Sequence, residues 1–363
     1  MTKTTRVAAV QMIATPAPVT DRLQRAETLI QQAVQDGAQL VVLPEVFNTG
    51  YGYSDENYAL AETQNGVTVQ WMTQQARTYH IHLAGSLLLL DGDHVYNAAF
   101  LVAPDGKTWR YNKHYPFVWE RAYFRDGETL TIADTDLGRI GLLICWDSAH
   151  AELWQRYAGR VDMIIIPSCP PVFNRPTLRF ADGTSTSFET DSNHFADIDI
   201  HNQARWLGVP VIHSAGAGQF ESVVPLPKIS VGAFARYDPQ VLSRLNQADS
   251  TYLVAEFGKH TKIIDAKGQA VAIAQDGDHV VTADVQINAN TPAPSSPQPP
   301  MLTQKATYWM VDVVGTPTYI PLYQHKLRQQ HGKNMAPLSP HTKLWGVGLA
   351  IALLVGWLLG KRR

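Results

Sequence analysis

Arg139-Ile140-Gly141-Leu142-Leu143-Ile144-Cys145-Trp146-Asp147 is the stretch on which the reading of this chain turns. Ile140–Ile144 is an apolar run of strand length, and it ends on a cysteine rather than on a turn former. A buried strand that delivers a thiol to its end puts a reactive group where a rigid sheet can fix its position. A helical pattern follows through Glu152, Leu153 and Tyr157. Next comes another buried strand, Val161–Ile166, halted by Pro167.

The same grammar extends in both directions. Upstream, Val7–Ile13 reads as a first strand. Leu23, Ala26, Leu29, Ile30, Ala33 and Val34 recur at helical spacing, with Thr20 or Asp21 to cap the start and Gly37 to end it. Leu40–Leu43 is a buried strand stopped by Pro44-Glu45, and a helix is expected over about 68–79. His82–Leu90, Val95–Val102 and Thr108–Asn112 are strands joined by Asp91-Gly92-Asp93 and Pro104-Asp105-Gly106 turns. Downstream, a helix over about 194–207 leads to a strand at Val209–Ser214. Ile263–Asp265, Val271–Ala274 and His279–Val285 complete the strands. Strands that alternate with helices, with hairpins between, predict an α/β sandwich of mixed sheets covered by helices. Two segments, about 170–193 and 219–258, are rich in turn formers and read as insertions suited to a lid, a pocket wall or a subunit contact.

Composition narrows the function. Thirty Lys and Arg against 32 Asp and Glu leave a net charge of −2, which excludes a generally basic nucleic-acid binder. With 45 % apolar and 17 % charged residues the chain is not disordered. Two cysteines, Cys145 and Cys169, make no disulfide framework and no Cys-based zinc site, and no HExxH helix occurs, so no metal and no cofactor is expected.

Three strand ends each present one reactive group: Glu45, Lys113 and Cys145. A thiol needs a base to become a strong nucleophile, and a carboxylate such as Glu45 can take its proton. A tetrahedral intermediate then carries negative charge on the former carbonyl oxygen. A lysine ammonium, helped by the backbone N–H just after the nucleophile, can stabilise it. Glu, Lys and Cys are together sufficient for acyl transfer. His114 and His150 lie nearby and offer a rival Cys–His pair.

With these residues in view, the chain resembles the nitrilase superfamily of carbon–nitrogen hydrolases. The resemblance rests on Val41–Tyr51 around Glu45, on Tyr111-Asn112-Lys113-His114 with Glu120–Gly127 downstream, and on Arg139–Asp147 around Cys145 with Glu152 beyond. It covers roughly residues 5–287 apart from the insertions. It implies a four-layer αββα sandwich, usually paired into a homodimer or larger homo-oligomer. Leu153, Trp154 and Tyr157 on the helix after Cys145 are then expected to supply apolar area for that pairing. By position, Cys145 is similar to the family nucleophile, Glu45 to the general base, Lys113 to the oxyanion-side cation and Glu120 to an additional glutamate beside them. The backbone N–H of Trp146 would complete the oxyanion hole. The implied activity is hydrolysis of a non-peptide amide C–N bond through a Cys thioester. Acyl transfer to an amine is the alternative within the enzyme class, and a non-catalytic membrane-anchored scaffold the alternative outside it. Ala149-His150-Ala151-Glu152 lacks the arginine of many amidase-type members, which weakens a carboxylate-bearing substrate. Cys145-Trp146-Asp147 departs from the Cys-Trp-Glu of true nitrilases, which disfavours a nitrile.

The hydrolase-like pattern ends near residue 288. Ala289–Pro300 holds five prolines in twelve residues and reads as an extended linker. Within the segment 301–343, Leu302, Ala306, Trp309, Met310 and Val313 suggest a short amphipathic helix. Leu344–Gly360 is an uncharged run of seventeen residues, about 26 Å long as a helix, flanked by Lys343 and Lys361. It is expected to be a single-pass C-terminal membrane anchor. Without a signal-peptide pattern at the N-terminus, the catalytic domain is placed in the cytoplasm. The partners expected are a small-molecule or lipid-like amide, membrane lipid and a second copy of the chain, with no nucleic acid.

Overall fold

The computed structural model describes residues 2–190, 197–258, 260–289, 291–303 and 305–331. The chain begins with β1 (Thr2–Ile13), α1 (Val19–Gln35), β2 (Leu40–Val42), α2 (Glu56–Leu60), α3 (Val67–Tyr79), β3 (His82–Asp91), β4 (His94–Val102) and β5 (Thr108–Asn112). It continues through β6 (Ile132–Thr135), β7 (Gly138–Leu142), α4 (Ala151–Tyr157), β8 (Met163–Ser168), β9 (Pro171–Arg179), β10 (Ser185–Ser187), α5 (Asp197–Leu207) and β11 (Val211–Ala217). β12 (Gln219–Ser222), α6 (Pro227–Gly232), β13 (Tyr252–Phe257), β14 (Lys262–Ile264), β15 (Ala270–Ile273) and β16 (His279–Asn288) follow. A helical run closes the described chain as α7 (Lys305–Tyr308), a π-helical turn (Trp309–Val314) and α8 (Gly315–His331).

Two mixed sheets stack face to face. The first has the order β5-β4-β3-β2-β1-β16 and the second β6-β7-β8-β11-β14-β15. They join at one corner, where β1 and β11 pair in parallel at Met12–Gly216 and Ile13–Ala217. Alternation along the strands explains the layering. Val7 and Ala9 of β1, Leu40 and Val42 of β2 and Ala99 and Leu101 of β4 join the core shared with the second sheet. Their neighbours Ala8, Val10, Val41, Ala98 and Phe100 point the other way, onto Leu29 and Ile30 of α1 and Met72 of α3. α4 and α5 bury Leu153, Trp154, Tyr157, Ile200, Ala204 and Leu207 with the second sheet. A side chain at Gly141 in β7 would bring its Cβ to 2.9 Å from the Tyr157 ring, so the glycine is what lets α4 seat. The layers are therefore α–β–β–α, as the resemblance implies.

Several expectations are corrected. α1 starts after Pro18 without a side-chain cap, and Thr20 and Asp21 lie inside its first turn. Pro167 does not end β8, which runs to Ser168. The β7 ladder stops at Leu142–Ile165, so the missing N–H of Pro167 faces no partner strand. The described parts of the two insertions are not irregular: β9 and β10 from one pair with β12 and β13 from the other in a four-stranded antiparallel sheet of order β10-β9-β13-β12. The proline-rich stretch is extended but docked, because Trp206 donates to Ser296 O at 3.0 Å and Gln298 to Ala151 O at 2.7 Å. The final helical run is longer than the 302–313 pattern suggests. Leu153, Trp154 and Tyr157, expected to feed a subunit interface, are fully buried within the chain and cannot supply its area. Among the described residues no helix is long and apolar enough to cross a membrane. The run Leu344–Gly360 lies outside the described residues.

Candidate active site

The ends of β2, β5 and β7 converge, which is why three residues far apart in sequence share one place. Glu45 follows β2 through Leu43, whose N–H still reaches Ala84 O of β3 at 2.7 Å, and Pro44. Lys113 follows β5, held by its own N–H to Asn97 O at 2.9 Å. Cys145 begins a 3-10 turn over Cys145–Ala149 just beyond β7. Its φ is +47°, and Val46 and Val118 beside the other site groups sit at +42° and +34°. L-residues in this left-handed region are held at a cost of about 1–3 kcal/mol each, and such strain persists only where the surroundings enforce it.

Lys113 is the hub. Its Nζ donates to Glu45 Oε1 at 2.8 Å and to Glu120 Oε2 at 2.7 Å. All three residues are at most 1 % exposed, so the ammonium and carboxylates interact with little screening. Glu120 arrives on a 3-10 turn over Val118–Ala122, where Oε2 also accepts the Phe117 N–H at 2.6 Å and Oε1 accepts the Tyr51 hydroxyl at 2.6 Å. Asn97 Nδ2 donates to Glu45 Oε1 at 2.7 Å, and Asn97 Oδ1 accepts from Ser86, which in turn accepts the Val46 N–H. The other glutamate oxygen, Glu45 Oε2, is buried without a hydrogen-bond partner.

Charges follow from this enclosure. Burial pushes the Glu45 carboxyl up to about 7, with Lys113 pulling it down and Glu120 pushing it further up. Burial alone would discharge Lys113, but Glu120 and Glu45 together raise it well above its ordinary value, so it stays an ammonium. Burial raises the Cys145 thiol well above its ordinary value and Glu45 adds to this. Lys113 and the backbone N–H of Cys169 favour the thiolate. The half-buried Cys145 thus rests as a thiol within electrostatic reach of a carboxylate that titrates near neutrality.

The structure brings Glu45, Lys113, Glu120 and Cys145 together, with Trp146 next in the Cys145 turn. Neither of the two nearby histidines hydrogen-bonds the sulfur. His150 Nδ1 faces Trp146 O and its Nε2 faces Asp312, while His114 Nδ1 faces Asn112 O with its ring stacked on Tyr111. Cys169 packs its sulfur against the Glu45 carbonyl at 3.4 Å. Asp147 has an organising place. It accepts the Ile144 N–H and the Tyr111 hydroxyl on Oδ2 and the His114 and Tyr115 N–H groups on Oδ1, which binds the Cys145 turn to the Lys113 loop. Sequence reasoning missed Asn97 and Asp312, and it placed Tyr51 and Arg121 within the motifs without giving either a role. Asn97 could have been found as a polar residue in an otherwise apolar strand; Asp312 carried no signal. Among the described residues no group of three or more His, Cys, Asp or Glu is placed to hold a metal ion.

Comparison with known proteins bears on this arrangement. A family model described as carbon-nitrogen hydrolase matches residues 6–294. A nitrilase of Pyrococcus abyssi is 34 % identical over 146 residues, 39 % of this chain and 56 % of its own. The omega-amidase NIT2-B of Xenopus laevis is 34 % identical over 185 residues, 47 % of this chain and 65 % of its own. The matches thus span less than two thirds of these curated relatives' lengths. Among solved structures, a CN-hydrolase superfamily protein of Xanthomonas campestris superposes with a TM-score of 0.59 at 18 % identity, covering 79 % of this chain and 91 % of that one. An amidase of Nesterenkonia sp. AN1 in complex with acrylamide gives 0.58 at 17 % identity, covering 77 % and 90 %. These structural likenesses speak for the fold.

Proposed function

The chain belongs to the carbon–nitrogen hydrolase family, and on that premise we propose that it hydrolyses a non-peptide amide C–N bond through a thioester on Cys145. The observation that carries the reading is the buried Lys113 ammonium held between Glu45 and Glu120 at 2.8 and 2.7 Å, with Glu45 Oε2 left uncommitted. In this reading Glu45 takes the Cys145 proton as the sulfur attacks the amide carbon. The oxyanion that forms is met by Lys113 and the Trp146 N–H. Collapse breaks the C–N bond, and the leaving amine takes the proton from Glu45. Water then attacks the thioester, gives its proton to Glu45 and releases the acid and the thiol. A carboxyl near 7 suits both directions of proton transfer. Glu120 holds Lys113 in place and keeps it charged.

The curated relatives carry both names, a nitrilase and an omega-amidase, and the Asp147 that stands where true nitrilases have glutamate is what favours an amide over a nitrile. The test is intact-mass spectrometry of the protein quenched during turnover of a panel of small and lipid-like amides. An acyl adduct on Cys145 that decays to free thiol and acid is expected, and Cys145→Ala forms none. Rapid turnover by Cys145→Ala would refute the assignment.

The proposal extends to placement. Leu344–Gly360 anchors the chain in a membrane with the catalytic domain in the cytoplasm, and the domain assembles as a homo-oligomer through surfaces other than Leu153, Trp154 and Tyr157. The full chain should need detergent for extraction while a chain ending at His331 should not, and sedimentation of the shorter chain reads its assembly. Release of the full chain without detergent would remove the anchor from the reading.

A further inference from the structure

One carboxylate of the C-terminal helical run touches both turns that carry site residues. Asp312 Oδ1 accepts the indole N–H of Trp146 at 3.2 Å and a guanidinium N–H of Arg121 at 3.1 Å, and Oδ2 lies 3.0 Å from His150 Nε2. Trp146 directly follows Cys145, and Arg121 directly follows Glu120. The other nitrogen of His150 faces the Trp146 carbonyl at 3.0 Å, so the ring links the same carboxylate to the backbone of the nucleophile turn. Both groups it faces are acceptors. Whichever ring nitrogen bears a proton therefore has an acceptor facing it.

The helix is deformed where this happens. Asp312 lies in the π-helical turn Trp309–Val314, where the Gly315 N–H reaches back five residues to Met310 O. Pro317 follows, and its ring has no N–H to give and crowds the carbonyl four residues earlier, which favours a widened turn ahead of it. π-turns recur where a side chain is being aimed. On the same run the Tyr308 hydroxyl caps Ala149 O, at the end of the Cys145 turn, and Trp119 donates to Tyr319 at 3.0 Å, on the Glu120 turn.

We infer that Asp312 is a positioning residue: it holds the Cys145 turn and the Glu120 turn at their working separation, and the C-terminal helical run is therefore part of the site. The inference rests on the reading of Cys145 and Glu120 given above. Cys145 stands in a left-handed backbone conformation of the kind that persists only where the surroundings enforce it. Asp147 fixes that turn from inside the sheets, and Asp312 fixes it from outside.

The test uses the full chain and two readouts. One is kcat and KM for an amide it turns over. The other, independent of turnover, is the rate of iodoacetamide alkylation at Cys145, located by peptide mass. Asp312→Asn keeps the shape but removes the charge. It should lower kcat by about tenfold or more with KM within about threefold, and slow alkylation by about threefold or more. Asp312→Glu, which restores the charge, should recover part of both. Lys326→Ala breaks the ion pair of the same helix with Asp55, away from the two turns, and should leave both readouts within about twofold of wild type. Trp146→Phe removes the indole donor along with part of a ring packed on Phe117, His150 and Tyr308, and the share of its losses that runs through Asp312 should fail to add to those of Asp312→Asn in the double variant. Wild-type kcat and alkylation in a folded Asp312→Asn, or fully additive losses, overturn the inference. If Asp312→Asn does not fold, Trp146→Phe and Arg121→Lys decide, and wild-type rates in both overturn it. A wild-type chain that turns over no amide sinks the proposed function instead, and alkylation still reads the clamp.

Discussion

Beneath Cys145, the strand ends of the two sheets hold their groups with buried charge and dense hydrogen bonding: Lys113 sits between two carboxylates, and Asp147 accepts from Ile144, Tyr111, His114 and Tyr115. Beside it, the inserted sheet and the C-terminal helix hold by aromatic faces and hydroxyls. Tyr51 and Tyr53 pack edge-on to Phe257 and Phe220, Trp119 meets Phe173 edge-on, and Tyr319 and Ser230 share the Trp119 N–H. The first region fails all at once when one polar group goes, because each loss strands others in a low-dielectric interior. The second is divided among many contacts, and most single losses there should be absorbed.

The largest effect is expected from Lys113→Ala. It leaves Glu45 and Glu120 buried with no cation between them. Removing one partner of a buried ion set typically destabilises by about 3–5 kcal/mol, and loss of an oxyanion-side donor lowers kcat by about a thousandfold. Urea unfolding and amide turnover check the two together, and an unchanged unfolding midpoint would show that the cluster is not under the electrostatic load described. Asp147→Ala should come next. It touches no reacting atom, yet it strands three backbone N–H groups and one hydroxyl, for about 3 kcal/mol or more. Its kcat should also fall, because the Lys113 loop loses its tie to the Cys145 turn.

A pH experiment sharpens the same contrast. Glu45 must be ionised to take the thiol proton. With its carboxyl pushed up to about 7 from an ordinary 4.5, acyl-enzyme formation should rise with pH through a limb near 7. That limb belongs to the coupled cluster, and Glu45→Gln should abolish it. Stability runs the other way. The folded carboxyl binds its proton more tightly than the unfolded one, so its contribution is complete below about 4.5 and is lost as pH rises through about 7. Rapid-quench kinetics and denaturation series over this range should show opposite slopes. A flat acylation profile would remove Glu45 from the base role.

How much of this was legible in the sequence follows the same division. The strands that carry Glu45 and Cys145 announce themselves by apolar runs that end in reactive residues, and the one before Lys113 by its Pro104-Asp105-Gly106 turn. Asp147 stands in the motif, but its four bonds do not, because they depend on where the Lys113 loop crosses the turn. The insertions looked irregular because each supplies only one pair of strands, β9 with β10 and β12 with β13, and the sheet closes only where β9 finds β13 some eighty residues on. The proline-rich stretch has the composition of a spacer, and nothing local says that Trp206 and Gln203 of α5 will bind it. Asp312 was invisible for the same reason. An acid within an amphipathic pattern reads as a solvated face until Arg121 and His150 are brought to it.

The smallest effect should come from the far end of the C-terminal helix. Tyr323 is fully buried and its hydroxyl accepts the Val95 N–H at 3.1 Å, at the start of β4 and two residues before Asn97. Tyr323→Phe keeps the ring, and so keeps the packing against Tyr58. It leaves one buried N–H without its acceptor, a loss of about 1 kcal/mol. No charge changes and no site turn is touched, so kcat and KM should both stay within about twofold of wild type while the unfolding midpoint drops slightly. The value of the measurement lies in its pairing with Asp312→Asn on the same helix. If the helix acts only by staying docked, the two variants should lower activity in proportion to the stability each loses. If it acts through one carboxylate, Tyr323→Phe loses stability without rate and Asp312→Asn loses rate beyond its stability. A Tyr323→Phe chain that is as slow as Asp312→Asn would make the whole cover, and not one residue of it, the element that shapes the site.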